Sequence, residues 1–173
     1  MKRKYLATLA LCCATLLSTA PAQASPPYDE ASVMFAQMMT SHHQQAVLIS
    51  QWAVKQGENA SVKKLAARII AEQGPEIAQM KTWIPADLMG VMHHMSMQGM
   101  VSAADLSKLK AAKGKKFDGL YLVAMTGHHQ GAIAMAQPLT ASKNSEVKSL
   151  AKAIVAGQSR EITEMHRIMV TGK

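Results

Sequence analysis

Thiols are almost missing from this 173-residue chain: it has two cysteines, Cys12 and Cys13, and both lie near the N-terminus. Aromatic residues make up 4% of the sequence, too few for the alternating aromatic and basic positions that grip single-stranded nucleic acid. Long apolar runs are missing as well. The longest, Tyr5 to Thr19, falls short of the roughly 18–20 residues that span a bilayer, and Pro21 follows it at once. No alternating pattern typical of a strand competes with the helical ones.

The first residues instead have the order of an export signal. Lys2-Arg3-Lys4 is a basic cap, the apolar stretch follows, and Ala22-Gln23-Ala24 is a small-x-small cleavage site. Residues 1–24 are therefore expected to leave as a signal peptide, with the mature chain starting at Ser25 and working in the periplasm rather than inserted in a membrane. A lipid anchor needs a small residue before the acylated cysteine, whereas Leu11 precedes Cys12 and Cys12 precedes Cys13. Cleavage would remove both thiols, excluding disulfides and thiolate ligands from the mature protein. It would also lower the net charge from +8 to +5. The scattered lysines then mark solvated helix faces, not a nucleic-acid surface. Residues 25–173 suit one domain with one core.

What the chain does have is methionine, 14 in all, and an internal repeat. Met39-Thr-Ser-His42-His43-Gln44-Gln45-Ala46-Val47 aligns with Met125-Thr-Gly-His128-His129-Gln130-Gly131-Ala132-Ile133. Further on, Gln73-x-x-Glu76-Ile77-x-x-Met80 aligns with Gln158-x-x-Glu161-Ile162-x-x-Met165. Each unit, 28–84 and 116–170, has apolar residues at helical spacings of three and four and reads as two helices. The expected spans are Tyr28–Lys55, Ala60–Trp83, Phe117–Ala141 and Ser145–Met169. Pro138 should kink or shorten the third. The linker, 85–115, should hold a short helix within Val101–Lys113, capped by Ser102 with Asp105 at its third position and closed by Gly114. A helical hairpin cannot bury its apolar stripe alone, so the two should form an antiparallel four-helix bundle with the His pairs facing each other.

On helix one, Met38 and Met39 stand one turn before His42 and His43, and Met125 stands one turn before His129, which places thioether and imidazole on one face. Glu76 and Glu161 lie on apolar stripes with Met80 and Met165. A buried carboxylate is costly unless paired or metal-bound, so each glutamate is expected either to orient a histidine of the facing helix or to bind an ion itself. The alternative is a satisfied polar layer that fixes the register of the bundle and binds nothing.

Between the units, Met89, Met92, His93, His94, Met95, Met97 and Met100 crowd a segment broken by Pro85, Gly90 and Gly99. Poor helical periodicity makes it an expected exposed, irregular loop. Thioethers select Cu(I) or Ag(I) and imidazole extends the range to Cu(II), so this set favours copper over iron or zinc. A methionine-rich contact surface for a partner protein is the competing reading.

Through the two His-His motifs and the Gln-x-x-Glu-Ile-x-x-Met segments, nearly all of the mature chain resembles the bacterial family named domain of unknown function 305. The resemblance implies a ferritin-like fold and an exported copper-binding protein that supports copper tolerance, with His42, His43, His128 and His129 as the signature and Met39 and Met125 beside them. Members often carry proline before the first His pair, where this chain has Ser41.

The leading expectation is thus a non-enzymatic protein that buffers, sequesters or passes on copper, possessing a donor or acceptor protein if it passes the ion on. A ferritin-like oxidase is the rival from the enzyme class. Dinuclear carboxylate bundles use a Glu-x-x-His motif on each of two helices. Here Glu76 and Glu161 are followed three residues later by Gln79 and Glu164, so that motif is missing. A helical interaction module using the methionine segment as a contact surface is the third class.

Overall fold

A computed structural model of the protein describes residues 27–89 and 97–173. Among them, the regular structure is all helical: α1 (Glu30–Gln56), α2 (Ala60–Lys81), α3 (Ala103–Ala111), α4 (Gly114–Ala136) and α5 (Ser145–Thr171). Single 3₁₀ turns at Ala86–Leu88 and Gln137–Ala141 follow α2 and α4. No helix of the described residues is long and apolar enough to cross a membrane.

Local chemistry sets most of the boundaries. Asp29, Asn59, Ser102 and Asn144 each accept a hydrogen bond from a first-turn backbone N–H, satisfying donors that a helix start leaves free. The Ser102 cap on the amide of Asp105 is the expected one. Gly114 does not merely close α3. At φ +59 it opens α4, which therefore begins three residues before the expected Phe117. At the other end Pro138 converts the helix to a 3₁₀ turn from Gln137 onward, because it cannot donate to the preceding turn. Pro75 sits inside α2 without ending it, although it too lacks the amide that would bond one turn back.

The helices α1 and α2 pack together, as do α4 and α5, and α1 crosses to α4. The core is in two apolar clusters. One contains Ala46, Ile49, Leu65, Ile69, Phe117, Tyr121, Met125 and Met165. The other contains Phe35, Met39, Met80, Trp83, Leu150 and Ile154. Fully burying a side chain of this kind contributes about 1.5–3 kcal/mol, so the two clusters dominate the driving force. Along α1 the second cluster comes first and the histidines follow, whereas along α4 the order is reversed. A polar layer of His42, His43, Gln73, Glu76, His128, His129, Gln158 and Glu161 is thereby held between two apolar ends.

Two carboxylates outside the repeat motifs tie the hairpins together. Asp118 on α4, 6% exposed, accepts from the backbone amides of Glu58 (3.1 Å) and Asn59 (2.8 Å) in the turn between α1 and α2. A Cβ on Gly57 would come within 2.7 Å of Asp118 Oδ1, so this approach requires glycine. At the opposite end Glu146 accepts from Tyr28 Oη (2.7 Å), Gln79 Nε2 (3.1 Å) and Trp83 Nε1 (3.1 Å).

Candidate metal centre

The four histidines come from adjacent positions on α1 and α4 and are all buried, none more than 1% exposed. His42 and His128 meet across the interface with ring centroids 3.7 Å apart and planes tilted by 40°. His43 Nε2 lies 2.9 Å from Glu76 Oε2 on α2, and His129 Nε2 lies 2.9 Å from Glu161 Oε2 on α5. Each hairpin thus supplies its own carboxylate to its own histidine. His42 Nε2 lies 3.2 Å from the backbone carbonyl of Gln98.

These partners dictate the tautomers. A carbonyl or carboxylate oxygen accepts, so Nε2 of His42, His43 and His129 carries a proton, and in a neutral ring Nδ1 then carries the lone pair. Among the described residues, none of those three Nδ1 atoms has a hydrogen-bond partner, and His128 has one at neither nitrogen. Burial holds His42 far below the usual imidazole range, to about 3, with His43 adding to the effect and the Gln98 carbonyl opposing it. Burial pushes His128 down still more strongly, helped by His42, His129 and His43. His42 and His128, held neutral by burial and with unpartnered ring nitrogens, are what a metal ion of nitrogen preference requires, so the donor chemistry fits copper.

The four rings do not converge on one point. Among the described residues, no group of three or more His, Asp or Glu side chains is arranged to hold a metal ion. The close contact is the His42–His128 pair, with His43 and His129 turned toward their carboxylates. Glu76 is about one-fifth exposed and Glu161 is buried.

The expected thioethers are distributed between the layers. Met39 and Met80 are buried in one apolar cluster, Met125 and Met165 in the other, so they flank the histidine layer from opposite sides. Met165 Sδ accepts from Thr126 Oγ1 at 3.4 Å. Met38 is half-buried. Of the methionine-rich segment, Met92, His93, His94 and Met95 lie outside the described residues, and Met89 is 53% exposed. Its C-terminal end is irregular, as expected, but less exposed than expected. Met97 and Met100 are half-buried, and residues 97–101 form a strap over the histidine layer. Gln45 fixes that strap by donating from Nε2 to the Val101 carbonyl (3.1 Å) and accepting from the Val101 amide at Oε1 (2.8 Å).

The strap is what the repeat pattern left unread. Where α1 has Gln45, α4 has Gly131, and a Cβ there would sit 2.0 Å from the Gln98 carbonyl oxygen. Gly99, at φ +84, presses against Gly127 and Gly131 in turn. Of the three differences between the motifs, Ser41/Gly127, Gln45/Gly131 and Val47/Ile133, it is Gln45/Gly131 that marks where the strap meets both helices, Gln45 by its side chain and Gly131 by having none.

Residues 32–169 match the family described as domain of unknown function, DUF305, and the chain belongs to that family. Solved structures of the same family agree in fold. A DUF305 fragment from Deinococcus radiodurans is 30% identical with a TM-score of 0.73, covering 83% of this chain and 97% of that one. CopM, solved in Cu(II)-bound, Cu(I)-bound and Ag-bound forms, is also similar. In its Cu(II)-bound form it is 34% identical with a TM-score of 0.67, covering 79% of this chain and 93% of that one. No curated protein matches the chain.

Proposed function

We propose that this chain is an exported copper-binding protein, an antiparallel four-helix bundle of ferritin-like type that retains Cu(I) at its buried histidine layer. Its role is to buffer, sequester or pass on the ion rather than to turn over a substrate. The observation that carries this reading is the set of buried imidazoles whose Nε2–H is anchored outward while Nδ1 is left without a partner. In a bundle stabilised only by a structural polar layer, those unpartnered ring nitrogens would each cost about 1–3 kcal/mol.

The ion is assigned to the close pair His42 and His128, with His43 and His129 as neighbouring donors oriented by Glu76 and Glu161. Outer acceptors of this kind fix ring orientation and raise ligand basicity. Soft-ion preference is supported by the flanking thioethers Met39, Met80, Met125 and Met165 and by the copper- and silver-bound forms of CopM. The segment Met89–Met100 adds thioethers and imidazoles suited to gaining and losing a soft ion one ligand at a time, which favours transfer to a partner. The basic cap and small-x-small site of residues 1–24 support periplasmic delivery.

The deciding experiment is a competition titration of the mature protein against a chromophoric Cu(I) chelator, alongside His42→Ala/His128→Ala and a variant lacking all four bundle histidines. Loss of the tightest ion in the double variant is expected. Retention of copper at unchanged affinity after removal of all four histidines would sink the core-site reading. Oxygen uptake on loading with Fe(II) would favour an oxidase instead.

A further inference from the structure

The histidine layer is buried, so an ion must have a route to it. The strap at residues 97–101 covers His42, and close backbone packing at Gly131 leaves no room there. The face between α2 and α5 is different. These two helices make few contacts with each other, and a groove of about 260 Å³ runs between them, lined by Glu72, Gln73, Glu76, Gln158, Arg160 and Glu161.

Three observations give that groove a character of its own. First, Gln73 and Gln158 line it, are 2% and 4% exposed, and among the described residues have no hydrogen-bond partner at either amide atom. Their amide atoms are unpaired and closed off from solvent at the inner side of the groove, a standing cost that an ion or water entering from the groove would relieve. Second, Glu76 and Glu161 form its floor, and the Oε2 of each is the atom that holds His43 or His129. The floor of the groove is therefore the outer side of the histidine layer. Third, it is acidic in a basic protein. Glu72, Glu76 and Glu161 face Arg160 within the groove, while Arg68 at its edge is shared among Glu72, Glu161 and Glu164. A recessed carboxylate cluster concentrates cations and raises their arrival rate even where the net charge is positive.

We infer that the groove between α2 and α5 is a cation port, in which the amides of Gln73 and Gln158 and the carboxylates of Glu72, Glu76 and Glu161 draw in a hydrated metal ion and strip its water on the way to the histidines. The inference rests on the copper reading for its destination, but not for the port itself. Oxygen donors bind a soft ion weakly, so the port speeds entry without competing with the imidazoles for retention. Glu72, nearly half exposed, acts at the mouth as an electrostatic attractor. Gln73 and Gln158 act within as replacements for water.

The test has two arms. In copper-free protein, dilute Mn(II), an oxygen-seeking paramagnetic ion, is expected to broaden the side-chain amide NMR signals of Gln73 and Gln158 selectively, and Glu72→Lys should abolish the effect. In stopped-flow loading with Cu(I), Glu72→Lys and Gln73→Leu/Gln158→Leu are each expected to slow uptake by about tenfold or more while leaving equilibrium stoichiometry unchanged. Glu72→Gln, a milder change at an exposed position, should slow loading in the same direction and guards against misfolding of the charge reversal. Mn(II) broadening that is absent, or uniform over the surface, overturns the port. So does copper loading at the wild-type rate in all three variants. Selective Mn(II) broadening in a protein that retains no copper would uphold the port and reject the histidine site, which keeps the two failures distinct.

Discussion

The Gln98 carbonyl oxygen and the Cα of Gly131 are so close that a Cβ on Gly131 would lie 2.0 Å from that oxygen, and the same oxygen is the 3.2 Å partner of His42 Nε2. One backbone carbonyl thus fits against glycine on α4 while holding the imidazole of α1. Gly131→Ala must push the strap away, breaking the Gln98 contact and straining the Gln45–Val101 pair. A loss of about 1–3 kcal/mol is expected. Gly127→Ala is the control. A Cβ there meets nothing within 4 Å, so relief of backbone entropy in mid-helix should leave stability unchanged or raise it by up to about 1 kcal/mol. Urea denaturation of both variants checks the pair, and equal destabilisation by the two would contradict it.

The two His–Glu bonds are the same length but differ in burial, with Glu161 5% and Glu76 21% exposed at the side chain. Replacing either glutamate by leucine leaves an imidazole N–H without its acceptor, a cost of about 1–3 kcal/mol when the site is dry. Water reaches His43 more readily through the more open Glu76 side. Glu161→Leu is therefore expected to destabilise the metal-free protein more than Glu76→Leu, as read from urea midpoints. The opposite order would show that exposure does not govern these bonds.

Burial holds His42 at about 3, against 6.5 for a free imidazole, and holds His128 low as well. Between those values the unfolded chain binds protons that the folded chain does not, so stability rises with pH across the window. This contribution is fully present above about pH 6.5 and is lost progressively as the pH falls toward 3. Urea midpoints of metal-free protein should fall between pH 7.5 and pH 5 by more than those of His42→Gln/His128→Gln. A flat profile in the wild type would remove the case for neutral buried imidazoles.

Much of this arrangement is legible in the residues themselves. The paired histidines, the glutamates on apolar stripes and the Ser102 cap all follow from spacing, because a helix converts intervals of three and four into a shared face. The strap does not. Its contacts use the backbone oxygen of Gln98 and the backbone of Val101, and a backbone group leaves no mark on side-chain pattern. The end of the methionine segment is irregular, as expected, but its packing against α1 and α4 could not be read from spacing for that reason. Gln73 and Gln158 were visible as repeated positions on the stripe, yet their lack of partners depends on how far α2 stands from α5.

By itself the sequence determined that the chain is helical, that two similar halves each bring two histidines and one carboxylate, and that soft thioether donors outnumber every thiol. Only the tertiary structure decided which atoms face one another. It paired His42 with His128, sent Met39 and Met125 to opposite apolar ends, and left one helix–helix seam open and polar. The physical reason is that periodicity fixes the face of a helix on which a residue lies, whereas distances between helices arise from packing of all the faces at once.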